Sequence, residues 1–203
     1  MKTKYSEAQL TAHHEAAHAV AHIRHDMSFQ SVSVVPGEGY MGIMRTKPRH
    51  GIQHLGNEGE ILAVLAGIAA EKKLRPHIPW IGVIWFGGED DWKAARIHTE
   101  ANLKMAEALA SYKEGREQRP VTEQEIGVAM DRHLRRAGKF VRNEWETIER
   151  IAHALIASPS GRLHYEQIYE LCTGGKPTPE EQREQLFVRD GKLVDVEGNP
   201  VAW

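Results

Sequence analysis

The chain has 203 residues, enough for one domain with a real core and a small appendage, and its formal net charge of -2 leaves no electrostatic case for nucleic acid or an anionic membrane surface. One cysteine, Cys172, excludes an internal disulfide and fits a reducing compartment. Met1 to Lys4 lead into a polar segment rather than an apolar leader, and the longest apolar run, Ile78 to Phe86, is far short of the ~20 residues of a membrane helix, so the expectation is a soluble cytoplasmic protein with no membrane partner.

The first predicted element is a helix. Ser6 is placed to cap it, with Gln9 as the capping-box partner, and no Gly or Pro follows until after His25. At about 100° per residue, Ala12, Ala16, Ala19, Val20, Ile23 and Met27 share one arc, while His14, Glu15, His18, His22 and His25 fall on the other. The second arc contains H-E-x-x-H. Its two histidines, His14 and His18, sit one turn apart on one face and can grip a single metal ion, while Glu15 beside the first can reach a water on that ion. Zinc hydrolases of amide bonds use this arrangement. The chain holds twelve histidines, so a chance match on a solvated helix face is the plain alternative. His13 and His25 read as surface histidines. His22 continues the ladder, but one helix rarely supplies three ligands and still leaves a water position open. A third protein ligand is needed from elsewhere. It is not at the extended spacing downstream of the motif, because position 21 is Ala21 rather than Gly and position 24 is Arg24 rather than His.

Next, Ser31 to Val35 and Tyr40 to Thr46 read as strands around a Pro36-Gly37-Glu38-Gly39 turn. Such a hairpin either covers the core or offers an edge on which an extended peptide can pair. Glu58 to Leu74 reads as a strongly apolar, buried helix, with Glu71 near its end as a surface charge or as an acceptor for a metal-bound histidine; surface is the expected reading. Arg75 to Gly88 looks too rich in Gly and Pro for a helix, and its tryptophans either plug the core or line a groove. Glu89-Asp90-Asp91 opens a helix to about Tyr112; these acidic residues are candidates both for capping and for the missing ligand. Thr122 to Glu125 is a capping box that starts a helix reaching about Ala157, with Gly138 as a candidate break. Leu163 to Cys172 is a short helix. The tail, 174–203, carries another short helix from Thr178 and a hairpin around Asp190-Gly191. The fold class expected is mainly α with a small β-hairpin sheet, α+β, with 1–173 as the main domain and 174–203 as an appendage.

Three segments in this order resemble the peptidase domain of the FtsH family of ATP-dependent zinc proteases. His14-Glu15-Ala16-Ala17-His18-Ala19 is similar to that family's H-E-A-G-H-A. Leu65-Ala66-Gly67-Ile68-Ala69-Ala70-Glu71 is similar to its L-G-G-R-A-A-E, and Gly87-Gly88-Glu89-Asp90-Asp91-Trp92 to its G-A-S-N-D-L, whose Asp binds zinc. The resemblance spans about Leu10 to Cys172. It implies a zincin-like helical peptidase with the H-E-x-x-H on the first long helix, Zn2+ held by His14, His18 and Asp91, and Glu15 as general base. Asp90 is the fallback third ligand. Ala17 stands for a Gly and Ile68 for an Arg. No G-x-x-x-x-G-K-[ST] motif of the family's ATPase occurs in these residues. The substrates implied are therefore peptides, unfolded proteins, or proteins delivered by a separate unfoldase. The resemblance leaves the oligomeric state open, a homo-oligomer included. A metal-binding module without activity is the alternative, against which the intact Glu15 speaks.

Overall fold

The structure is a computed structural model that describes residues 4–37, 41–46, 57–85, 87–176, 187–189 and 192–194. It is mainly helical, with a small three-stranded antiparallel sheet in the order β2-β1-β3. The chain divides into two compact units, one made of Met1–Pro48 with Glu146–Trp203 and the other of Arg49–Trp145.

The first unit is built on α1 (Glu7–Arg24). Ser6 Oγ accepts from the Gln9 N–H, and the Gln9 side chain accepts from the Ser6 N–H, so the expected capping box is formed. The helix ends in a Schellman turn. Asp26 takes φ 53°, and the Met27 N–H reaches back to the His22 carbonyl at 2.8 Å. Asp tolerates the left-handed region better than most residues, and Met27, buried just beyond, anchors the turn. β1 (Phe29–Ser33) then pairs with β2 (Ile43–Thr46), with a register irregularity between Phe29 and Ser31. β1 begins and ends two residues before its expected limits, whereas β2 ends at the expected Thr46. The sheet also has a member that the sequence pattern hides: β3 (Arg162–His164), placed against the other side of β1. Three residues are too few to show an alternation, so only the long-range pairing reveals this strand. Gly161 makes the turn into it at φ 60°, and its carbonyl accepts from the Val34 N–H at 2.9 Å.

α6 (Trp145–Ala157) and α7 (Tyr165–Thr173) complete this unit. Phe29, fully buried, meets Tyr165 edge-on at 5.2 Å between ring centres and His22 at 6.0 Å. Val20, Val32, Ile148, Ile151, Leu155 and Ile168 are buried with it.

The second unit centres on α2 (Glu58–Leu74), whose limits match the sequence reading. Asn57 Oδ1 caps it by accepting from the Gly59 N–H at 2.8 Å. It is buried on nearly every side and packs against α4 (Glu89–Glu114) and α5 (Glu123–Asn143). Ile61, Leu65 and Ile68 of α2 lie in the core, as do Ile126, Met130, Leu134 and Val141 of α5. Thr122 and Glu125 form the expected capping box of α5. The long helix breaks at Glu144 rather than at Gly138. Gly138 is an ordinary helical position, tolerated at a propensity cost of about 1 kcal/mol.

α3 (Trp80–Trp85) corrects the expectation of a loop. Pro79 stands just before the first turn, where it lends its carbonyl to the Gly82 and Val83 N–H groups and no interior bond is lost. Lys72 donates to the Pro76 and Ile78 carbonyls, so the chain between α2 and α3 is tied down. β4 (Phe187–Arg189) and β5 (Lys192–Val194) pair antiparallel, with Arg189 opposite Lys192; the turn expected at Asp190-Gly191 lies outside the described residues. The helix expected from Thr178 lies outside the described residues. Among those described, no helix is long and apolar enough to cross a membrane.

Candidate metal centre

α1 is a buried helix, and its histidine face is buried with the rest. His14, Glu15 and His18 each retain 7% exposure. The imidazoles of His14 and His18 stand edge to face with ring centres 4.6 Å apart, as the i, i+4 spacing dictates. Asp91 joins them. It is the third residue of α4, and one donor atom from each of His14, His18 and Asp91 lies within 4.8 Å of the other two. Among the described residues this is the group of His, Cys, Asp or Glu side chains so placed that it can hold a metal ion.

The donor set fits zinc. Two nitrogens and a carboxylate oxygen are ordinary zinc ligands at about 2.0–2.2 Å, which puts tetrahedral donors about 3.4 Å apart, within reach of small side-chain rotations from the observed separations. Three protein donors also leave a fourth position for water, as in catalytic sites. Asp90, the fallback ligand, is not in the cluster; it is fully exposed, with Lys93 Nζ 3.8 Å away. Neither acidic residue caps α4, whose N-cap is Gly88 with no side-chain bond.

The other histidines of α1 divide. His22 is buried against Phe29 and is not part of the cluster. His25 is exposed, as expected. His13 corrects the surface reading: it is buried, its Nδ1 donates to the Gln9 carbonyl at 2.7 Å, and its ring meets His153 edge-on at 6.3 Å. Burial pushes its pKa below the usual histidine value and the His153 ring adds to this, while the Gln9 carbonyl and Glu149 act the other way. At about 100° per residue His13 falls beside Val20 at the edge of the apolar arc, and α6 of the first unit covers that side through His153.

Glu15 has a close neighbour that no motif identifies. A methyl group on Gly42 would lie 2.5 Å from Thr11 Cγ2, 2.8 Å from Glu15 Cγ and 2.9 Å from Glu15 Oε1. The backbone entering β2 therefore presses directly onto α1 at Thr11 and Glu15, one helical turn apart. β2 is also an edge strand, paired with β1 on one side only among the described strands. The sequence signal was available in principle: a Gly immediately before a strand marks a close backbone approach.

Two further expectations change. Glu71 is buried, not a surface charge, with Arg75 Nη1 3.8 Å from its Oε2. In the tryptophan-rich segment neither tryptophan plugs the core: Trp80 is half-buried and Trp85 exposed. Val83 and Ile84 plug the core, whereas Trp85 stands 75% exposed beside exposed Ile81.

Comparison with protein-family models gave no match, and comparison with curated proteins gave none either.

Proposed function

We propose that the chain is a zinc-dependent endopeptidase that hydrolyses peptide bonds of peptides or unfolded proteins, with His14, His18 and Asp91 holding the metal and Glu15 acting as general base. The observation that carries this proposal is the convergence of those three donors beside a buried carboxylate on the same helix face. When bound by these residues, zinc would supply a Lewis acid able to bring the pKa of water towards ~7. Glu15 accepts the proton of the attacking water and passes it to the leaving amine nitrogen. Its burial keeps bulk water from competing for that proton. The Gly42 contact fixes where Glu15 stands relative to the edge of β2, and an extended substrate pairing along that edge would present its backbone next to the base.

The proposal includes the resemblance to the FtsH peptidase domain, supported by the order of the three segments and by Asp91 joining the histidine pair. A folded substrate would then need a separate unfoldase. The direct test is cleavage of casein by zinc-loaded protein beside Glu15→Gln. Cleavage by the wild type that disappears in the variant, with zinc content unchanged, is the expected result. Equal cleavage by both removes Glu15 as the base. Zinc binding without cleavage by either, even with unfolded substrates, favours a metal-binding module.

A further inference from the structure

Asp91 is the third residue of α4, which directly follows the Gly87-Gly88 turn. The turn before it, Gly87-Gly88, rests on one face of α2. A methyl group on Gly88 would meet Ile68 Cγ1 at 2.6 Å and Cδ1 at 3.1 Å, and one on Gly87 would meet Glu71 Oε1 at 3.2 Å and its Cδ at 3.8 Å. Ile68 and Glu71 are three residues apart on α2 and therefore neighbours on its surface. Behind Glu71, Arg75 Nη1 stands 3.8 Å from Oε2, and both side chains are about nine-tenths buried. The buried carboxylate thus faces a guanidinium with one oxygen and the Gly87 backbone with the other. A buried charge held this way is costly to displace, which makes it a stiff support. From Gly88 the path to the site is short and rigid: its N–H bonds to the Ile84 carbonyl, and its carbonyl accepts from Trp92, one residue past Asp91.

We infer that Glu71 is a positioning residue for the metal centre, acting through the Gly87-Gly88 turn to hold Asp91 where it completes the His14/His18 pair. This rests on the zinc site proposed above. Glu71 is not one of the three clustered donors. It sets how much of the third ligand's contribution is realised, as residues supporting metal ligands commonly do, typically by 10- to 100-fold in affinity.

The test is zinc affinity by chelator competition, read on Glu71→Gln, Gly87→Ala, Asp91→Ala and the Glu71→Gln/Asp91→Ala pair. Glu71→Gln keeps the shape of the side chain, and Gly87→Ala perturbs the same contact from the other side while leaving the Glu71 charge in place. Thermal melting of the metal-free proteins shows whether either variant is simply less well folded. The expected result is a loss of about 10-fold or more for each single variant, a larger loss for Asp91→Ala, and no additional loss when Glu71→Gln is placed on Asp91→Ala. Wild-type affinity in Glu71→Gln and Gly87→Ala, with the loss present in Asp91→Ala, overturns the inference and leaves the zinc site standing. A further loss in the double variant overturns the route through Asp91. Wild-type affinity in Asp91→Ala removes the third ligand itself, and the inference goes with it.

Discussion

Gly42→Ala is the sharpest probe of how the sheet and the Glu15 carboxylate, the proposed general base, meet. The added methyl would stand 2.5 Å from Thr11 Cγ2 and 2.8 and 2.9 Å from Glu15 Cγ and Oε1. Ordinary carbon contacts are about 3.5–4.0 Å, so the overlap is about 1 Å against two side chains on one rigid helix turn. Either Glu15 swings away or the start of β2 lifts off α1. In both cases the carboxylate shifts by about 1 Å relative to the strand edge, a displacement that can lower turnover by ~100-fold, or about 2.7 kcal/mol of barrier. Overpacking would also lower stability by about 1–3 kcal/mol, so activity is assayed well below the melting temperature of the variant. His14 and His18 are not in this contact, and zinc content should be retained. Thr11→Ser added to Gly42→Ala removes the 2.5 Å clash while keeping the hydroxyl, and should recover part of kcat. Wild-type kcat/KM in Gly42→Ala, with normal zinc content, would refute the placement of Glu15 against β2.

Two other expectations follow from the two units. Glu107 is held by Arg116, by the Arg119 N–H and by Ser111, which bring its pKa from 4.5 down to about 2; Glu125, held by Arg119 and Thr122, is likewise brought to about 2. Their stabilisation is complete above the unfolded carboxylate value and is lost as pH falls from about 4.5 towards 2, so the melting temperature should fall over that interval and fall less steeply in Glu107→Gln. In the first unit, Phe29→Ala removes a fully buried ring shared with His22 and Tyr165, and chemical denaturation should report a loss of about 3–5 kcal/mol; a loss below about 1 kcal/mol would mean that the ring is not in the core.

What the sequence determined by itself is what local chemistry controls. Ser6 with Gln9 and Thr122 with Glu125 start helices where the capping pattern says they should, because cap and partner are three residues apart and need no other part of the chain. The limits of α2 follow from Asn57 and an unbroken apolar run. The pairing of His14 with His18 follows from the pitch of one helix. Tertiary structure decided everything that depends on distant neighbours. It buried His14, Glu15, His18 and His22 of the arc that periodicity set opposite the apolar one, and moved His13 and Glu71 from the surface to the interior. It recruited Arg162–His164 into the sheet and broke the long helix at Glu144 rather than at a glycine. It separated Asp91 from Asp90, because adjacent helical residues point about 100° apart and the fold selects one of them. It also set Gly42 against Glu15 across 27 residues of chain, a contact encoded only by the absence of a side chain.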